Sequence, residues 1–221
     1  MKAFILAAGK GSRFRPFTLN TPKPLFKIKQ KPLIVWHIER LQAAGCKEIV
    51  INLSVLGDQI KALLGNGSEY GVEIHYSEEA ELLGTGGGVG NALSLLGKEP
   101  FILLSGDVWT DFDFGDLSML PNSLAHMVLT KNLPNSLKGD VVLEKNLVKE
   151  LGQDVGLTFS GVALISPSLF LNIQKKNYGL WEVLLPAVKK RQVSGELYEG
   201  IILNINTLKE GEKLDALLRE E

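Results

Sequence analysis

Cysteine is almost absent from the 221 residues. Cys46 stands alone, which excludes an intramolecular disulfide framework and a Cys-rich zinc site. Histidine is nearly as scarce: His37, His75 and His126 lie far apart and show no ligand spacing. Neither charge sign is in excess. The 24 basic and 25 acidic residues leave a net charge of −1, so no global basic field exists to hold nucleic acid. No apolar run approaches the roughly 20 residues of a membrane-spanning helix. Lys2 and the apolar stretch Ala3 to Ala8 open like a secretory leader, but Gly9, Lys10, Arg13 and Arg15 cut the stretch short, so a buried strand is the better reading. A cytoplasmic protein with no nucleic-acid or membrane partner is expected.

Hydrophobic residues make up 45% and charged residues 22%, ordinary for a globular chain that buries one large core. Strands and helices alternate through the first half. An apolar run over 2–8 reads as a strand buried on both faces. Helices are expected over 32–45, 56–64 and 84–96, and strands over 48–52, 72–76 and 101–104. This βαβαβαβ pattern implies a mostly parallel sheet with helices on both faces. The second half reads differently. A strand over 123–130 precedes a polar loop over 131–138. Short antiparallel strands follow near 140–144, 147–150 and 157–165, then helices near 180–191 and 207–219. No composition break marks a linker.

Glycine is the abundant residue, at 23, and it is concentrated. About 23 residues separate the first strand from its helix, where roughly 2–6 are usual and long ordered loops are mostly functional. Gly9 and Gly11 leave backbone N–H groups free to face a ligand, as in a phosphate-binding nest. Arg13 and Lys23 supply cations, and Pro22 and Pro24 hold Lys23 extended. Two familiar nucleotide motifs do not fit. Gly9-Lys10 is followed by Gly11 rather than Ser or Thr, and Phe14 stands where the dinucleotide fingerprint needs its third glycine.

Leu6-Ala7-Ala8-Gly9-Lys10-Gly11-Ser12-Arg13, followed by Thr21-Pro22-Lys23-Pro24-Leu25, resembles the signature of the sugar-1-phosphate nucleotidyltransferases. Gly84-Thr85-Gly86-Gly87-Gly88 resembles that family's nucleobase segment, and Ser105-Gly106-Asp107 its metal-binding turn. The resemblance covers essentially the whole chain. It implies a Rossmann-like three-layer α/β sandwich with a mostly parallel central sheet and a small antiparallel sugar-binding lobe. It further implies one domain over 1–221, with a nucleotide-binding half (1–122) and a sugar-binding half (123–221).

The implied reaction joins UTP and a sugar-1-phosphate with Mg²⁺ and releases pyrophosphate. Short length and three further segments (106–111, 157–161 and 193–198) favour N-acetylmuramate α-1-phosphate, in cell-wall recycling. Glucose- or mannose-1-phosphate with UTP, dTTP or GTP, and a catalytically weak nucleotide-binding regulator, are the alternatives. Arg13, Lys23 and Asp107 take the catalytic places. Leu6, Ala8, Gly9, Gly11, Ser12, Gly84, Thr85 and Gly86 take the nucleotide-binding ones, and Gly139, Thr158 and Ser160 face the sugar. Asp107 and Asn204 hold the metal. Asn204 stands where the family carries a second metal-binding Asp, and Asn206 where it carries a Gly. His37 is expected on the outer face of its helix, Asp111 in a turn or helix cap, Cys46 in the core, and the chain as a monomer.

Overall fold

The computed structural model describes residues 1–131, 138–152 and 155–219; most of the polar loop expected over 131–138 lies outside them. The chain opens with strand β1 (Lys2–Leu6) and a long loop ending in the two-residue strands β2 (Lys27–Ile28) and β3 (Lys31–Pro32). Helix α1 (Leu33–Ala43), β4 (Glu48–Leu53), α2 (Gly57–Leu64), β5 (Glu73–Glu78), α3 (Gly84–Leu96) and β6 (Phe101–Ser105) complete the alternating part. Then come β7 (Val108–Thr110), β8 (Ala125–Thr130), β9 (Val141–Glu144), β10 (Leu147–Glu150), β11 (Thr158–Ile165), α4 (Leu180–Lys189), β12 (Val193–Leu197), β13 (Ile202–Asn204) and α5 (Leu208–Arg219).

Among the described residues, nine strands form one sheet in the order β5-β4-β1-β6-β11-β8-β12-β10-β9. The first four are parallel. β11 then runs antiparallel between β6 and β8, and the far edge is an antiparallel ribbon of β10 and β9. The expected sandwich, with its antiparallel end, is therefore present. β1 pairs with β4 on one side and β6 on the other, so the strand order reverses at β1. In open α/β sheets ligands bind at the carboxyl ends of the strands beside such a reversal.

Alternation within β1 explains the two faces. Ala3 and Ile5 point into a cluster with Ile34, Ile38 and Leu41 of α1 and Ile60 and Leu64 of α2. Phe4 points into the opposite cluster, with Val89, Ala92 and Leu96 of α3 and Leu184 and Val188 of α4. Each buried Val, Leu, Ile or Phe side chain among these contributes about 1.5–3 kcal/mol. A third cluster joins Phe14 of the first loop to Leu33, Trp109, Ile205, Leu214 and Leu218, so α5 is packed against that loop. No helix among the described residues is long and apolar enough to cross a membrane.

Several features depart from expectation; one is β12, which joins the main sheet parallel to β8 where no strand was expected. β7 and β13 pair as a separate two-stranded sheet; three residues each are too few to show a period. His37 is not on an outer face: it is 3% exposed. α1 lies between the sheet and the third cluster, so it is buried on more of its circumference than the Ile34, Ile38, Leu41 stripe indicates.

Candidate functional site

A cavity of about 370 Å³ opens over the carboxyl ends of β1, β4 and β6. Leu6 and the residues through Gly9, Asn52, and Ser105 through Asp107 form its base; Gly11, Ser12, Arg13, Lys23 and Pro24 form one wall; Glu79, Leu82, Gly84 and Thr85 form another, with Asn206 at the rim.

The first wall is the long loop, folded back on itself. Gly11 sits at φ 58, and a Cβ there would lie 2.8 Å from the Thr18 methyl. Its carbonyl accepts from the Phe14 N–H (2.8 Å) and the Thr18 hydroxyl (2.7 Å). Phe14, Phe17 and Phe26 meet edge to face with centroids 5.1–5.8 Å apart. Such pairs add about 0.5–1.5 kcal/mol beyond burial. This aromatic knot pins the loop from below and presents its cations above.

Lys23, with a side chain only 11% exposed, places Nζ 2.9 Å from Asp107 Oδ2. Arg13 Nη2 donates to Asn206 Oδ1 at 2.8 Å. The Asp107 turn is equally fixed. Gly106 N–H donates to the Leu6 carbonyl at 2.9 Å, and a Cβ at Gly106 would lie 2.4 Å from that oxygen, so only glycine fits there. The Asp107 carbonyl accepts from Ile205 N–H at 2.8 Å. Beneath the turn lies His37, buried close to the Gly106 backbone, with its Nε2 unpartnered among the described residues. Burial drives its pKa down to about 4, so it is neutral at physiological pH.

Glu79 and Asn52 also build the cavity, and the sequence reading missed both. Asn52 Oδ1 accepts from Ala7 N–H (2.7 Å), and its Nδ2 donates to Glu79 Oε1 (2.7 Å). Glu79 Oε2 accepts from Leu83 N–H (3.1 Å). This buried relay holds the start of α3 to β1. A polar residue closing the apolar run Ile49-Val50-Ile51 was the available signal for Asn52.

Gly84 and Thr85 stand in the cavity wall, but Gly86 does not. A Cβ at Gly86 would lie 2.5 Å from the Tyr178 ring, and one at Gly88 2.7 Å from Glu79 Oε1. The segment 176–179 straps the first turn of α3, and the Tyr178 carbonyl accepts the Gly86 and Gly87 N–H groups at 3.0 and 3.1 Å. The glycine run thus serves this close approach as well as the cavity. Gly139, Thr158 and Ser160 are not in the wall either. Gly139 lies in the loop before β9 at φ 75. Thr158 and Ser160 are buried on β11, and the Ser160 hydroxyl accepts from Val162 N–H at 3.1 Å. Asp111 follows β7 and is neither in a turn nor a helix cap: its carboxylate accepts from the Tyr198 hydroxyl (2.8 Å) and Ile201 N–H (2.7 Å). Cys46 is buried in the core.

Asn204 is on β13, opposite Val108 in register. Its Oδ1 is buried and has no partner among the described residues. An unmet buried acceptor costs about 1–3 kcal/mol. No cluster of three or more His, Cys, Asp or Glu among the described residues is arranged around a metal. The cavity wall offers the Asp107 carboxylate as an oxygen donor; Asn204, on the strand beside its turn, is not in that wall. Oxygen donors completed by phosphates suit Mg²⁺.

A parallel sheet whose switch point presents two cations and a carboxylate to one cavity is a frame for nucleotide chemistry, and the sequence defines the class further. Residues 2–131 match the nucleotidyl transferase family, and the chain belongs to that family of enzymes. It is 45% identical, over 97% of its length and 98% of the relative's, to the N-acetylmuramate alpha-1-phosphate uridylyltransferase of Neisseria meningitidis serogroup B. It is 33% identical over 89% of its length to the mannose-1-phosphate guanylyltransferase catalytic subunit beta of Drosophila pseudoobscura pseudoobscura, of which it spans 56%. In fold it resembles HddC from Yersinia pseudotuberculosis (TM-score 0.82, 22% identity, 98% and 99% of the two chains). It also resembles a UDP-glucose pyrophosphorylase complexed with UDP-glucose (TM-score 0.80, 17% identity, 99% and 98%).

Proposed function

We propose that the chain joins UTP to N-acetylmuramate α-1-phosphate, giving UDP-N-acetylmuramate and pyrophosphate in cell-wall recycling, as a cytoplasmic monomer. The observation that carries this reading is the convergence of Arg13, Lys23 and Asp107 on one cavity at the switch point. The near full-length likeness to the Neisseria enzyme supports the substrate pair.

A phosphate oxygen of the sugar phosphate attacks the α-phosphorus of UTP. The bond from that phosphorus to the bridging oxygen breaks, and pyrophosphate leaves with the electron pair. The nucleophile is already ionised, so no general base is needed. Positioning and charge neutralisation supply the catalysis. The loop from Gly9 to Ser12 cradles the triphosphate, and Arg13 binds the β- and γ-phosphates that depart. Lys23 exchanges the Asp107 carboxylate for oxygens of the α-phosphate and the incoming phosphate. Asp107, with the Asn204 amide oxygen, would hold Mg²⁺, which would supply further neutralisation of phosphate charge. Residues 1–122 provide the nucleotide site, with Gly84 and Thr85 at the start of α3. Residues 123–221 provide the sugar side.

Pyrophosphate release, measured with Mg²⁺ over a matrix of nucleoside triphosphates and sugar-1-phosphates, tests the proposal. UTP with N-acetylmuramate α-1-phosphate is expected to turn over fastest. A preference for another pair, such as GTP with mannose-1-phosphate, overturns the substrate assignment. Triphosphate binding without turnover for any pair overturns the enzymatic reading.

A further inference from the structure

Arg13 reaches 193 residues along the chain for its partner, Asn206, and both stand in the cavity wall. We infer that Asn206 is a positioning residue for Arg13: a neutral acceptor that fixes the guanidinium over the cavity without cancelling its charge. The inference rests on the reading of the cavity as a triphosphate site.

Three observations carry it. First, the acceptor is an amide oxygen at 2.8 Å. Lys23, by contrast, is paired with the Asp107 carboxylate. A carboxylate partner has to be displaced before the cation meets phosphate, whereas an amide takes one N–H of the five-donor fork and leaves the positive charge intact. Second, Asn206 is itself held. Its N–H and that of Thr207 both donate to Glu210 Oε2 at 2.8 Å, closing the first turn of α5. Third, α5 is docked onto the loop that carries Arg13. Gly211 lies against the Phe26 ring, which a Cβ would approach to 2.5 Å, and Leu214 shares a cluster with Phe14. The backbones that carry Arg13 and its acceptor are thus tied together, so a fixed acceptor stands beside the exposed guanidinium and reduces the orientational freedom lost on meeting phosphate.

The test is a double-mutant cycle on the full chain, reading UTP affinity by titration calorimetry with Mg²⁺ present. Asn206→Ala is expected to weaken UTP binding about five- to tenfold, the scale of one ordinary exposed hydrogen bond, with an unchanged unfolding midpoint. In an Arg13→Ala background the same substitution is expected to change affinity less than about twofold, because its effect passes through Arg13. Asn206→Asp keeps an acceptor but adds charge, and is expected to bind UTP more weakly than Asn206→Ala. The inference is overturned by native affinity in Asn206→Ala, by equal weakening in both backgrounds, or by Asn206→Asp matching the native chain. If the native chain binds no UTP, the reading of the cavity fails first and takes the inference with it.

Discussion

Lys23 and Asp107 are each other's partner until phosphate arrives, which makes their substitutions informative separately. Lys23→Ala removes the least exposed cation of the cavity. Turnover is expected to fall about 100- to 1,000-fold, as for loss of one preorganised electrostatic group, while the unfolding midpoint stays near native because the pair is partly solvated and worth little to stability. Pyrophosphate release and thermal unfolding on the same preparation check both halves; retained turnover sinks the assignment. Asn204 gives a second test. Its buried oxygen lacks a partner, so Asn204→Asp places an unpaired charge where a neutral amide stood. The variant is expected to melt below the native chain in chelator and to gain more from added Mg²⁺. An equal Mg²⁺ response in the two proteins removes Asn204 from the metal site. At this scale the sequence was legible where chemistry was crowded: Arg13 follows the Gly9–Gly11 turn, Lys23 stands between two prolines, and Asp107 follows the glycine after a buried strand. Asn206 and His37 were not legible, because each acts on a residue far along the chain and neither has a local pattern.

The strand and helix alternation was readable because buried parallel strands are short apolar runs and their crossover helices carry stops such as Gly45, Gly65 and Gly97. The strap over α3 was not. Nothing near Tyr178 in the sequence says that its carbonyl receives the N–H groups of Gly86 and Gly87. The strap nevertheless decides what Gly86→Ala does. Alanine is favoured over glycine inside a helix by about 1 kcal/mol. Here its Cβ meets the Tyr178 ring at 2.5 Å and the Gly179 carbonyl at 2.7 Å, and overpacking of this kind costs about 1–3 kcal/mol. The clash involves backbone and is expected to win: Gly86→Ala melts at a lower temperature and binds UTP less tightly, since Thr85 is tied to the same strap through Leu180 N–H at 2.8 Å. A raised melting temperature shows instead that propensity dominates and that the strap yields.

Across the whole molecule the parallel and antiparallel halves of the chain share one sheet, so stability is a single property of both. His37 gives it a pH dependence with a definite sign. Burial lowers its pKa from 6.5 to about 4, so the folded state favours the neutral ring. The resulting stabilisation is present above pH 6.5 and is lost as pH falls toward 4, by about 3 kcal/mol in full. Urea unfolding at pH 6.5 and 4.5 is expected to show a smaller loss for His37→Gln than for the native chain. Parallel losses exclude a buried neutral His37.

The docking of α5 onto the first loop also has a meaning for biosynthesis. Phe14, Phe17 and Phe26 leave the ribosome long before Leu214 and Leu218 are made to cover them. At roughly 5–20 residues per second, the 193 positions from Arg13 to Asn206 take roughly 10 to 40 s to translate. During that interval the nascent chain carries an uncovered aromatic patch beside strands able to pair, a surface suited to chaperone capture and prone to association between neighbouring chains on one message.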